Sequence, residues 1–436
     1  MQGREFKVIM VFLFGLVMFM YGALSTGLQI FPYQHMQPYL AISSSLYGAS
    51  NIEEYNTEIR WARVAPAKGG LVTHVAEQVQ DGVIVYVSTH DTAAYVIDHE
   101  GNELHSWSYN FSDIWPDQEH VISLRTLEDR YFYNRDFHVY ENGDILLMAT
   151  VAGVTPWGMG LVKLDKDSNL LWSYTGYPNN DFEVAPDGTI YVIDHKIRHE
   201  DLENNEIPTI PFLEDTIVIL DPDGKEIKSI SLMDAVDRSV FRDMFKDIPD
   251  ADEGDPTHSN SLTYFTHDHP SISWIKEGYV MVSIRNINAL AVIDPKSEEI
   301  VHAYRLQTKM QHDLDYLPNG NFMVFDNRGS YTQGGYTRVF EFDPVTQEIY
   351  WLYDPVPGES DIEFESEFWG AQQRFDNGNT MIVHADIGRL IEVTPASDIV
   401  WDYRIPHIQE RDGQDYIATI TSAEKIVTKN YPFLSK

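Results

Sequence analysis

Four polar residues recur at one position of a repeated segment. The segments RDFHVYENGDILLMAT from Arg135, NDFEVAPDGTIYVID from Asn180, HDLDYLPNGNFMVFDN from His312 and GAQQRFDNGNTMIVHAD from Gly370 align on their Asn-Gly or Asp-Gly turns. Arg135, Asn180, His312 and Gly370 each stand seven residues before the turn, and His258, in DPTHSNSLTYF, is the corresponding residue of a further copy. Imidazoles exchange protons near neutral pH, and a guanidinium holds oxyanions with a planar, permanently charged fork. Two histidines, an arginine and an asparagine at one level are not what a packing core selects.

A second repeat says what must carry that column. YVIDHEGNELHSW from Tyr95, VKLDKDSNLLWSY from Val162, VILDPDGKEIKSI from Val218, AVIDPKSEEIVHAY from Ala291, FEFDPVTQEIYWLYD from Phe340 and IEVTPASDIVWDY from Ile391 are each a β-rich run, a polar turn and a second run. Their anchors Asp98, Asp165, Asp221, Asp294, Asp343 and Thr394 lie 67, 56, 73, 49 and 51 residues apart. Two hairpins per repeat at this spacing predict four-stranded blades, hence an all-β, six-bladed β-propeller whose inner strands line a central channel. The aromatic residues that end these hairpins are expected to staple neighbouring blades.

The chain has 436 residues, no cysteine and a net charge of −36. That charge argues against nucleic acid and polyanionic substrates; the missing cysteines exclude disulfides and thiolate chemistry. Arg4 and Lys7 precede an uncharged stretch from Val8 to Phe31. Its length suits a single membrane-spanning signal anchor, with a cleaved signal peptide as the rival. The basic flank places the propeller on the extracytoplasmic, periplasmic side of the inner membrane. Residues 1–31 therefore read as anchor, 32–75 as a spacer with a short helix over 51–62, and 76–436 as propeller. Residues 235–257 interrupt the pattern as a surface insertion with a short helix at Ser239–Phe245.

DPTHSNSL at 255–262, VSIRNINALAVID at 282–294, QHDLDYLPNGNFMVFDNRG at 311–329 and the run from Phe368 to Tyr403 resemble the arylsulfotransferase family. That resemblance covers most of the chain after about residue 75 and implies sulfuryl transfer from an aryl sulfate to a phenol, without a cofactor. By resemblance, His258 and His312 are catalytic and Arg328 binds sulfate, with Asn327 beside it; Arg285 and Arg135 are further cationic candidates. The family's nucleophilic histidine lies just before a Ser-Trp at the start of the sixth blade. Here Ser366, Glu367, Phe368 and Trp369 contain no histidine, so His312 or His384 is expected to substitute, or transfer to be direct. The alternative is a non-catalytic, membrane-tethered propeller that binds a small anion or a protein partner. A quinoprotein-like dehydrogenase is disfavoured because no vicinal cysteine pair is present. The acidic stretches at Asp165–Asn169 and Asp250–Asp255 and the His267–His269 triplet read as turns and loops rather than metal sites.

Overall fold

The repeated phrases fold as expected, and their turn chemistry shows why. In the computed structural model, which describes residues 14–22, 57, 59–61, 63–64, 69–123, 126–204, 211–248, 254–327, 336–355, 364–366 and 369–434, each phrase forms the third and fourth strands of a blade, counted from the channel. The six anchors accept backbone N–H groups inside their own turns. Asp98 takes Asn102 N at 2.7 Å, Asp165 takes Asn169 N at 2.9 Å, and Asp221 takes Lys225 N at 2.9 Å. Asp294 takes Lys296 N at 2.9 Å, Asp343 takes Val345 N at 2.8 Å, and Thr394 takes Asp398 N at 3.2 Å. A short polar side chain that mimics a backbone acceptor closes a tight turn locally. The inner hairpins turn at Gly143, Gly188, Gly320 and Gly378, all at positive φ.

The described strands make six antiparallel sheets of four or five strands, and a small three-stranded sheet outside them. The innermost strands are Ile420–Ile426, Phe132–Val139, Pro178–Val184, Ser259–Tyr264, His312–Tyr316 and Ala371–Arg374 for the first to sixth blades. Both ends of the propeller close the ring. The late strand Ile420–Ile426 pairs with Val83–Ser88 in the first blade. The early strand Gly70–His74 becomes the outermost strand of the sixth, beside Ile399–Arg404. That early strand corrects the sequence reading, which left residues up to 75 in a spacer: its five residues carry too little pattern to be seen without their partner. Lys425 of the closing strand makes a buried ion pair with Glu392 of the sixth blade.

Apolar clusters fill the seams between blades. Aromatic side chains on the outer strands cross these seams. Trp107 Nε1 donates to Gly143 O of the next blade at 3.0 Å, Trp351 Nε1 to Pro395 O at 3.1 Å and Trp401 Nε1 to His99 O at 2.8 Å.

The helix in the insertion lies at Leu232–Arg238, not Ser239–Phe245. Ser231 caps it by accepting Asp234 N at 2.9 Å, and Ser239 ends it. Arg242–Asp247 forms a 3-10 turn instead. Of the expected helix over 51–62, residues 57, 59 and 60 are helical and Trp61 is in a turn, its N donating to Thr57 O at 3.2 Å; the rest lies outside the described residues. Residues 14–22 are helical, and no helix among the described residues is long and apolar enough to cross a membrane.

Candidate functional site at the channel mouth

An irregularity at the start of the inner strands builds the site. The register slips between Asn134 and Phe137, between Pro178 and Phe182, between Ser259 and Ser261, and between His312 and Asp315. Asn180, His258, Asp313 and Trp369, all at this level, have φ of 61°, 44°, 48° and 61°. A bulge bends a strand and re-aims its side chains. Repeated around the ring, it turns a row of polar groups toward one mouth of the channel. Hydrogen bonds between blades hold this level together: Asn180 Nδ2 to Ser259 O at 2.9 Å, Asn260 Nδ2 to Gln311 O at 2.7 Å, and Thr421 Oγ1 to Asn134 O at 2.7 Å.

His312 is 6 % exposed, and its protonation is set by Asn327. Asn327 Nδ2 donates to Ser366 O at 3.0 Å and to Trp369 O at 2.6 Å. Two carbonyls on one side oblige the amide oxygen to face the other way, where it lies 2.8 Å from His312 Nδ1. Nδ1 therefore carries the proton, and Nε2 keeps its lone pair. Burial, then the positive charges of Arg135, Arg285 and His258, push the pKa of this imidazole well below the ordinary value; only the Asn327 bond opposes them. Those charges come from the second and fourth blades, so the four groups converge electrostatically.

Arg135 is also 6 % exposed. Its guanidinium lies 4.6 Å from the Trp369 ring centroid, and Nη2 donates to Asn180 Oδ1 at 3.3 Å. Among the described residues Nε and Nη1 have no hydrogen-bond partner. Burial pushes its pKa down to about 10, still far above neutrality, so the charge is retained. A buried cation with spare donors is costly unless an anion completes it.

His258 has a 25 % exposed side chain and a carboxylate on Nδ1, that of Asp255. Its ring lies 5.6 Å from that of Trp157. Arg285 follows the second strand of the same blade and donates to Asn286 Oδ1 at 3.0 Å; Asn286 Nδ2 in turn donates to Asp255 O at 2.7 Å. The sequence reading put Asp255 in a solvated acidic loop. The missed signal was its place three residues before His258, the reach of one turn of chain.

The structure thus brings together His258, His312, Arg135, Arg285 and Asn327. His384 is 1 % exposed; its Nε2 bonds Glu365 O at 2.7 Å, and its ring packs edge-on against Phe364 at 5.1 Å. Arg328, Glu367 and Phe368 lie outside the described residues.

Below the mouth the channel changes sign. Asp136, Asp181, Glu183, Asp313, Asp315 and Glu424 stand on the inner strands of four blades and repel one another across the axis. Asp136 and Asp181 share a hydrogen bond. Burial first, and this mutual repulsion second, push Glu183 up to about 8 and Glu424 up to about 7. Among the described residues no group of three or more His, Cys, Asp or Glu could hold a metal ion.

The sequence matches the model of the arylsulfotransferase family over residues 137–406. No curated protein matches it. Among solved structures, a protein of unknown function from Bacteroides caccae is similar at 10 % identity and a TM-score of 0.48, covering 79 % of this chain and 98 % of its own. A streptogramin B lyase is similar at 13 % identity and 0.41, covering 84 % and 96 %. The virginiamycin B lyase of Staphylococcus aureus is similar at 11 % identity and 0.40, covering 83 % and 97 %.

Proposed function

Since the chain belongs to the arylsulfotransferase family, we propose that its channel mouth moves a sulfuryl group from an aryl sulfate to a phenol. The observation that carries this reading is the buried Arg135 guanidinium, with two N–H groups unpartnered among the described residues, facing a neutral imidazole. In sulfuryl as in phosphoryl transfer, charge spreads over three non-bridging oxygens while the entering and leaving groups stand in line. Arg135 and Arg285 hold those oxygens, in a site shielded enough for such contacts to be strong. His312 Nε2 attacks sulfur; the N–S bond forms as the S–O bond to the aryl group breaks, and the leaving phenolate takes a proton from His258. In the second half the acceptor phenol returns a proton to His258 while its oxygen attacks sulfur and the N–S bond breaks. Asp255 steadies the charge that His258 carries before the first half and regains in the second, and holds the neutral ring in place between them. No cofactor enters this scheme.

The test uses the full chain in detergent with nitrophenyl sulfate and phenol. Nitrophenol release is expected, and Arg135→Met should lower it about 100-fold, the usual scale for one preorganised donor set. Release no faster than that of a His258→Ala/His312→Ala double variant would overturn the reading. The stretch 366–369, which has no histidine, supports a second reading, anion binding without turnover. It would appear as a sulfate-dependent rise in melting temperature that Arg135→Met removes, with no nitrophenol released.

The propeller is further proposed to be tethered outside the cytoplasm by the apolar stretch 8–31. In support, the stretch from Val8 to Phe31 carries no charged residue and follows Arg4 and Lys7. Retention in the membrane pellet after alkaline carbonate is expected; release into the supernatant would refute the tether.

A further inference from the structure

We propose that Asp215 and His195, two residues of the third blade that never reach the channel, are positioning residues that hold His258 of the fourth blade in its working orientation. This rests on the reading of the mouth as a transfer site.

His258 adopts a φ of +44°. A non-glycine residue in the left-handed region is strained by roughly 1 kcal/mol or more, and persists only where its surroundings impose it. What imposes it here is one carboxylate. Asp215 Oδ2 accepts from Thr257 Oγ1 at 2.6 Å and from Ser259 N at 2.7 Å. Those two residues flank His258, so Asp215 grips the chain on both sides of it, across the seam between blades. Asp215 is 1 % exposed and faces His195 in register across its own sheet.

His195 supplies the second half of the device. Its Nε2 lies 3.1 Å from Asp215 Oδ1 and 3.0 Å from Asn179 Nδ2. Asn179 Oδ1 accepts Trp157 Nε1. The Trp157 ring stands edge-on to His195 at 4.6 Å and covers His258 at 5.6 Å. The backbone of His258 and the aromatic wall beside its ring are thus both set by the same buried pair. Burial opposes the charge on Asp215, yet His195, Thr257 Oγ1 and Ser259 N together hold its pKa below the ordinary carboxylate value. An ionised acceptor makes the stronger bonds to the two flanking donors.

The pair does not touch the reacting atoms, so its removal should act through orientation. Small misplacements of a reacting group cost up to about 100-fold in rate. The experiment compares Asp215→Ala and Asp215→Asn in the full chain in detergent, with histidines labelled with nitrogen-15 and the His258 resonance identified by its loss in His258→Gln. Asparagine keeps an acceptor for Thr257 and Ser259; alanine keeps none. We expect Asp215→Ala to shift the His258 titration and to lower kcat about 100-fold, with KM for nitrophenyl sulfate within about threefold. Asp215→Asn should return the titration to near that of the parent and recover most of kcat. A His258 titration in Asp215→Ala that coincides with the parent overturns the proposal, whatever the turnover. Should the alanine variant not fold, Thr257→Val removes one of the two bonds and is read in the same way. If the parent releases no nitrophenol, the functional reading fails, while the His258 titration still decides the positioning role.

Discussion

A histidine whose Nδ1–H is spent on an amide oxygen and whose surroundings are cationic is a base that stays unprotonated in mild acid. His312 is such a residue. Burial and the charges of Arg135, Arg285 and His258 disfavour its protonated form, so its lone pair persists below the ordinary imidazole value of about 6.5. If His312 attacks sulfur, kcat/KM should not fall as pH drops from 7.5 through 6.5, its acid limb being displaced to lower pH. A pH–rate profile between 8 and 5 checks this, because kcat/KM reports the free enzyme. An acid limb centred near 6.5 would remove His312 from the nucleophile's role. Asn327 illustrates how residue identity and residue use differ. The resemblance lists it beside the sulfate. Its amide is taken up by His312, Ser366 O and Trp369 O, so its contribution is the tautomer of the base.

At the scale of elements, the blades are held by what crosses their seams. Trp401 is fully buried, donates to His99 O of the first blade at 2.8 Å and stacks on Tyr403 with ring centroids 5.6 Å apart. It joins the last blade to the first, where the ring closes. Trp401→Ala should cost about 3–5 kcal/mol, the range for removing a fully buried large aromatic. Urea unfolding of the variant against the parent measures it; a loss under about 1 kcal/mol would mean that the closing strands alone secure the seam. These hairpins were legible in the sequence because their information is local. An anchor that bonds its own turn and an alternating run to either side need no distant partner to be recognised. The strand Gly70–His74 was not legible, since only the edge of the sixth sheet makes it a strand.

Across the whole molecule, a cationic mouth opens onto an acidic axis. In the proposed reading, a sulfate ester held by Arg135 and Arg285 would meet these acidic side chains beyond them, so anions would enter and leave by one face. The same axis makes stability depend on pH. Glu183 and Glu424 have folded pKa values of about 8 and about 7, raised by burial and by neighbouring carboxylates. A raised carboxyl pKa means that the folded state binds more protons than the unfolded one between about 4.5 and the folded value. Stability from these groups is therefore lost as pH rises through that window. A Glu183→Gln/Glu424→Gln variant should gain in melting temperature over the parent at pH 8.5 and gain much less at pH 5. An equal difference at both values would show that the axis is wet enough to leave these groups unperturbed.

Turn chemistry and strand period, both properties of neighbouring residues, were enough for the amino-acid sequence alone to specify the blades and to align Arg135, Asn180, His258 and His312 at one level. The motifs around them also identified the family. Only the folded ring decided which of these side chains meet. Bulges at the inner strands aim them, Asp255 and Asn327 set two imidazoles, and Asp215 reaches across a seam from 42 residues away to clasp Thr257. His384, which ends the strand Thr380–His384, spends its Nε2 on the backbone carbonyl of Glu365. The physical reason is range. A strand's pattern is written in its own residues, whereas convergence on an axis depends on six separate sheets closing around it.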